Sequence, residues 1–372
     1  MLRGRRGRRH ASPASCATGL TRMSPRAKSL KSARTACEAA PGQPLVLAAK
    51  ELLQPRFERL TTVLTEAIAA PAEEPEAIHR LRVATRRSAT AIETLASVIP
   101  TDLRQPLLRQ LKKLRRACGP ARDLDIQQEF YEHLLAEVET RDLAVVDLLY
   151  ERVTIARDKL HPELQLALER RRKKLQRAID DVIAHLEILR ERSPDIYGSL
   201  SETACPLLSR ALTRVCEQPP AQDSSPDVLH NLRIAGKKLR YACELFEPLL
   251  GADFADTLAP HLIALQDELG IYHDAEVARQ NLARLRHKWK RRRHRDNWDQ
   301  KPQGLFSWKE LAAGLKYVTR VHSERAAQAR ERFLTLWPSF STTAFRQPLE
   351  KRLQRLAHPS PPSPTAPRAR AR

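Results

Sequence analysis

Two short stretches of the chain carry the same set of chemically capable side chains. In "IHRLRVATRR", from Ile78, they are His79, Arg82, Arg86 and Arg87; in "LHNLRIAGKKLRY", from Leu229, they are His230, Arg233, Lys237, Lys238 and Tyr241. On a helix advancing by 100° per residue, His79, Arg82 and Arg86 share a stripe about 60° wide, with Arg87 beside it. Leu81, Ala84, Ser88, Ala91, Ile92 and Leu95 take the opposite side, and Leu232, Ala235, Leu239, Ala242, Cys243 and Phe246 do the same in the second stretch. The apolar side suits a helix bundle. The other side is a row of cations about 10 Å long, rich in the residue best fitted to bidentate contacts with phosphate oxygens.

A charged helix face is most often simply solvated. This one has almost no acids for i,i+4 pairing, and it stacks Arg82 on Arg86 and Arg233 on Lys237. Such like-charge pairs cost about a few tenths of a kcal/mol each. Uncompensated repulsion that recurs in two places points to an anion held by the row.

The recurrence belongs to a larger unit. At a constant offset of 151 residues His79 meets His230, Arg82 meets Arg233, Arg86 meets Lys237 and Arg87 meets Lys238. Without a gap the same register lays "LKKLRRACGPARDLD" (111–125) on "LIALQDELGIYHDAE" (262–276), so that Gly119 meets Gly270, Arg122 meets His273 and Asp123 meets Asp274. This predicts two domains of one architecture. Few strand formers beside abundant Leu, Ala, Arg and Glu predict an all-α fold. Pro, Gly and Asx clusters at 71–76, 100–102, 118–123, 192–199, 219–227 and 250–254 mark the expected helix breaks. The run from about Thr140 to Arg192 predicts one long helix, with Pro162 as the place for a kink. The organisation expected is a disordered basic arm over 1–44, a first repeat over 45–195, a second over 196–357 with a basic insert at 284–303, and a Pro-rich disordered tail over 358–372.

The net charge of +21 is unevenly placed. Residues 1–37 hold ten Lys or Arg and no acid, residues 359–372 hold three Arg and no acid, and "RLRHKWKRRRHR" (284–295) holds eight more cations. The remaining helical body is close to neutral, so a cationic site within it must arise from arrangement. No window is apolar enough for a membrane span, and the N-terminal segment lacks the apolar core of a secretory signal, so no membrane association is expected. Its Arg- and Ser-rich leader has the look of an organellar presequence, yet the internal Met23 favours an over-extended start or a disordered arm. The six cysteines are scattered and read as reduced, mostly buried residues.

Catalytic motifs are missing: no phosphate loop of the GxxxxGK[ST] type, no dinucleotide fingerprint, no nucleophile elbow and no HExxH. The His273-Asp274 doublet has the look of a metal phosphohydrolase pair, but its counterpart is Arg122-Asp123, and Arg is no metal ligand. The shared element is the Asp, read as a helix N-cap after a helix-ending Gly or as an orienting partner for a basic side chain. No catalytic residue, metal site or cofactor is expected.

The two cationic stretches, each followed by a Gly-x-x-x-Asp segment ("CGPARDLD" and "LGIYHDAE"), resemble the CHAD (conserved histidine α-helical domain) family over roughly residues 45–355. The resemblance implies two pseudo-symmetric four-helix bundles whose basic helices face a shared groove or pore, and binding of inorganic polyphosphate. It implies that His79, Arg82, Arg86 and Arg87, with His230, Arg233, Lys237, Lys238 and Tyr241, line that groove. Arg122 and His273 keep a cation in both copies, whereas Arg115 and Arg116 align with Gln266 and Asp267 and face either groove or solvent; Arg116 is kept among the candidates. Thr90 stands where the second copy has Tyr241, and the basic run at 284–295 is foreign to the family pattern. The ExExK signature of the CYTH domain often joined to CHAD domains does not occur.

The leading expectation is a stand-alone, non-catalytic polyphosphate-binding protein of the cytoplasm, with polyphosphate granules as the candidate location. Its affinity should fall steeply with salt and rise between about pH 8 and pH 6 as histidines gain charge beside phosphate. The alternative is a nucleic-acid-binding or condensing protein that uses the tails and the 284–295 run, with Trp289 and Trp298 stacking on bases.

Overall fold

The computed structural model describes residues 40–69, 75–138, 140–193, 195–217, 219–251, 254–296 and 307–358. Ten α-helices occur there: α1 (Leu45–Ala69), α2 (Pro75–Thr94), α3 (Thr101–Glu137), α4 (Thr140–Arg192), α5 (Leu200–Cys216), α6 (Pro226–Leu245), α7 (Glu247–Leu250), α8 (Ala259–Asp296), α9 (Trp308–Ser339) and α10 (Arg346–Ala357). Two π-helical turns, Phe254–Leu258 and Phe340–Ala344, lead into α8 and α10. The fold is all-α, with no β-strand among the described residues beyond one isolated bridge between Pro44 and Ser199. That bridge, with Leu200 N donating to the Gln43 carbonyl and Leu45 N to that of Gly198, ties residues 40–44 into the fold. The arm expected over 1–44 is therefore ordered from Ala40; its residues 1–39, and 359–372 of the tail, lie outside the described residues.

Helix starts follow the local chemistry. Ser225 caps α6 by accepting from Val228 N, with Pro226 in the first turn, and Ser199 and Ser307 form complete capping boxes with Glu202 and Glu310. Two expected breaks do not materialise. α3 runs straight through Gly119-Pro120, and α8 runs through Gly270, because each is a long helix packed on both sides and tertiary contact overrides a single weak position. Asp123 and Asp274 are consequently mid-helix residues, not N-caps. α4 likewise continues through Pro162.

The helices of 45–192 pack chiefly on one another, as do those of 200–357; α2 on α6, α4 on α9 and α1 on α5 join the halves. The faces opposite both cationic rows are buried as the periodicity predicts, from Leu81, Ala91 and Ile92 on α2 to Leu239, Ala242 and Cys243 on α6, with Leu95 and Phe246 buried just past the two helix ends. They enter one apolar core that is continuous through both halves. A second, smaller cluster unites the far ends of α3, α4, α8 and α9, with Phe130, Leu134, Val146, Leu149, Leu282, Trp289, Leu311 and Val318. Through Asp296 the 284–295 run forms the end of α8, and residues 297–303 of the expected insert lie outside the described residues. Trp289, expected to stack on bases, is buried in that cluster at 7% exposure, and Trp298 lies outside the described residues.

Candidate functional site

The packing of α2 on α6 brings the two cationic rows together, with α3 and α8 alongside. In the first copy Arg82 lies on the backbone of α3, its Nη1 donating to the Arg115 carbonyl at 3.3 Å. Gly119 makes room for it, since an added Cβ would stand 3.4 Å from that nitrogen. Burial lowers the Arg82 pKa, Arg86 and Arg122 push the same way, and Asp123 opposes them. In the second copy Arg233 Nη2 stands 3.8 Å from Asp274 Oδ1. Each Asp therefore serves an Arg of the preceding cationic helix, the second of the two roles open to it from sequence.

The two copies meet at these acids. Burial raises the Asp123 carboxyl above its usual range, Arg82 draws it back, and the Asp274 charge adds to the rise. Arg115 is held low by burial and by Arg86 and Arg116, while Tyr241 of the other repeat and Glu93 act against that. His230 and His273 face each other with their Nδ1 atoms 3.3 Å apart and ring centroids at 4.8 Å. Burial pulls the His273 pKa down to about 4; Arg233, His230 and Lys237 reinforce this and Asp274 resists it. Nitrogen–nitrogen contact at that distance requires one ring to be neutral.

Arg82, Arg86, Arg115, Arg116 and Arg122 thus join His230, Arg233, Lys237, Tyr241 and His273 in one connected cationic patch that spans both repeats. His79 is half-buried one turn before Arg82 on the same stripe, Arg116 is exposed, and Lys238 is exposed. Arg87 has a different place. It grips Glu244 with two bonds, Nε to Oε2 at 2.6 Å and Nη2 to Oε1 at 3.1 Å, and so does not present its guanidinium to the patch. The reason is position: Arg87 lies beside the stripe, toward the seam with α6.

Glu244 was not anticipated from the sequence. Its own burial would raise its pKa, but Arg87 and Arg240 together hold it below the usual range, and Arg240 Nε donates to Oε1 at 2.8 Å. Arg56 of α1 donates to the Glu244 carbonyl at 2.7 Å, with a pKa that burial pulls down to about 10. This acid pins α1, α2 and α6 to one another. The 151-residue register holds a hint of it, since Glu93 occupies the matching position in the first copy.

Comparison with known proteins agrees with the pattern. The family model described as "CHAD domain" matches residues 51–283. The chain belongs to the CHAD family. A solved CHAD domain from the plant Ricinus communis is similar in fold, with a TM-score of 0.53, 21% identity, and coverage of 85% of this chain and 94% of that one. PptA from Streptomyces chartreusis is similar with a TM-score of 0.51 and 17% identity, covering 78% of this chain and 99% of that one. Among curated proteins no sequence match was found. Among the described residues no group of three His, Cys, Asp or Glu side chains converges as a metal ion would require, and no helix is long and apolar enough to cross a membrane.

Proposed function

We propose that this CHAD protein binds inorganic polyphosphate, without catalysis, in the cationic patch between α2 and α6. The observation that carries this reading is the packing of α2 on α6, which brings both cationic rows to one seam, with Asp123 and Asp274 each set beside an Arg of its own row. Polyphosphate offers charge and oxygen acceptors and no base edges, and Arg, Lys and neutral His can donate to it without further specificity. Membership of a family associated with polyphosphate supports the same ligand. The two acids act as orienting partners that keep Arg82 and Arg233 extended beside the patch. With that ligand, the proposed place of action is the polyphosphate granules of the cytoplasm.

Nucleic acid is the weaker reading for the folded body, because the aromatic ring best placed within the basic run, Trp289, is committed to the core. The experiment is direct binding of long-chain polyphosphate to the full chain and to Arg82→Ala with Arg233→Ala. Loss of two charge-assisted contacts of about 1.5 kcal/mol each corresponds to weakening on the order of a hundredfold. Unchanged binding by the double variant would refute the assignment.

A further inference from the structure

The outer end of α8 carries a cationic stripe in register with the patch. Taking His273 as the origin, Arg291 falls at about 0°, Arg284 at about 20° and Lys288 at about 60°, while buried Leu282 and Trp289 lie at about 180° and 160°. All three cations are exposed, as are Val277 and Gln280 between them and His273. None of the three forms an ion pair with another described residue; Arg284 has one hydrogen bond, Nη1 to Asn281 Oδ1 at 3.3 Å.

α6 does not cover this stripe. Gln266 Nε2 donates to the Gly236 carbonyl, while His230, in the opening turns of α6, reaches His273. The two helices therefore run antiparallel, and α6 begins at Pro226, just beyond the level of His273. α8 continues past the level of His273 to Asp296, its inner face fastened by Trp289 to the cluster shared with α3, α4 and α9. The match to the family model ends at residue 283, and the basic run begins at Arg284.

We propose that Arg284, Lys288 and Arg291 continue the anion track out of the groove along α8, so that long polyphosphate is held on two contiguous segments. The inference rests on polyphosphate being the ligand of the groove. From His273 to Arg291 the track would add about 27 Å at 1.5 Å per residue. A long chain of phosphates leaving the groove meets this stripe without turning, while a short one ends before reaching it. Polyphosphate is favoured over RNA because the stripe is purely cationic, with its one tryptophan turned into the core where it cannot stack on bases.

The test is the full chain carrying Arg284→Gln, Lys288→Gln and Arg291→Gln, titrated with long-chain polyphosphate, tripolyphosphate and a single-stranded RNA across a salt series. Long-chain affinity should fall about tenfold or more and the slope of log K against log salt should flatten by about 2, near 0.7 per charge removed. Tripolyphosphate affinity should not change. Equal affinity of variant and wild type for the long chain overturns the inference alone, as does an equal loss for long and short chains or a loss confined to RNA. Failure of the wild type to bind any polyphosphate overturns the underlying reading with it. Because the stripe is exposed, the variant should keep the wild-type circular dichroism; a charge-reversed pair, Arg284→Glu with Lys288→Glu, should lower long-chain affinity further, and no change there would also overturn the inference.

Discussion

Individual side chains in this protein are tuned by burial as much as by their partners. His273 is held neutral in the free protein, so its share of any pH-dependent binding lies on the acid side of the window expected from an ordinary histidine. A bound polyanion would favour the charged ring and raise its pKa, which couples binding to proton uptake. Affinity should therefore steepen below about pH 6, and His273→Asn should remove that steepening; identical pH profiles would contradict the assignment. His322 tests stability in the same way. Its ring stacks on Phe130 with centroids 4.0 Å apart, and burial, reinforced by Arg325 and Arg279, pulls its pKa down to about 3. A histidine depressed in the folded state favours folding fully above its unfolded value near 6.5 and loses that contribution as pH falls from there toward 3. His322→Leu should make the loss of stability between pH 7 and pH 4.5 shallower by up to a few kcal/mol, read by denaturant titration at both values. Glu244 presents the opposite case, an acid that two arginines keep charged inside the seam. Glu244→Gln leaves Arg87 and Arg240 without their counter-ion and should cost about 3 kcal/mol in thermal or chemical unfolding.

At the scale of helices, close approach is decided by glycines that look unremarkable in sequence. Gly314 on α9 faces Val145 on α4, where an added Cβ would stand 2.4 Å from the valine Cβ. Gly314→Ala should push α4 and α9 apart at the smaller cluster and lower stability by about 1–3 kcal/mol. Gly119→Leu should act differently: the helix gains propensity, but the side chain occupies the place of the Arg82 guanidinium, so binding should weaken while the melting temperature holds. The amphipathic split of α2 and α6, the caps at Ser199, Ser225 and Ser307, and most boundaries could be read from periodicity and punctuation. Gly119 could not, because a glycine that makes room for a neighbouring side chain within a helix has the same spelling as one that ends a helix.

The whole molecule shows why the site was partly legible. A register of 151 residues announced that two cationic rows exist, and the packing of α2 on α6 sets them side by side. Arg87 was misplaced because the register aligns positions and says nothing of the seam, where a residue beside the stripe finds Glu244. The basic run was visible as charge, but its character as a ridge depends on Trp289 entering a cluster built from four helices distant in sequence. The central claim is that the folded body, and not a diffuse positive charge, holds polyphosphate. The most direct measurement is competition, at moderate salt, between long-chain polyphosphate and single-stranded RNA for the full chain and for Arg82→Ala with Arg233→Ala. Polyphosphate should displace RNA from the wild type, and the double variant should lose this preference. Equal competition by RNA, with the double variant binding as the wild type does, would contradict it.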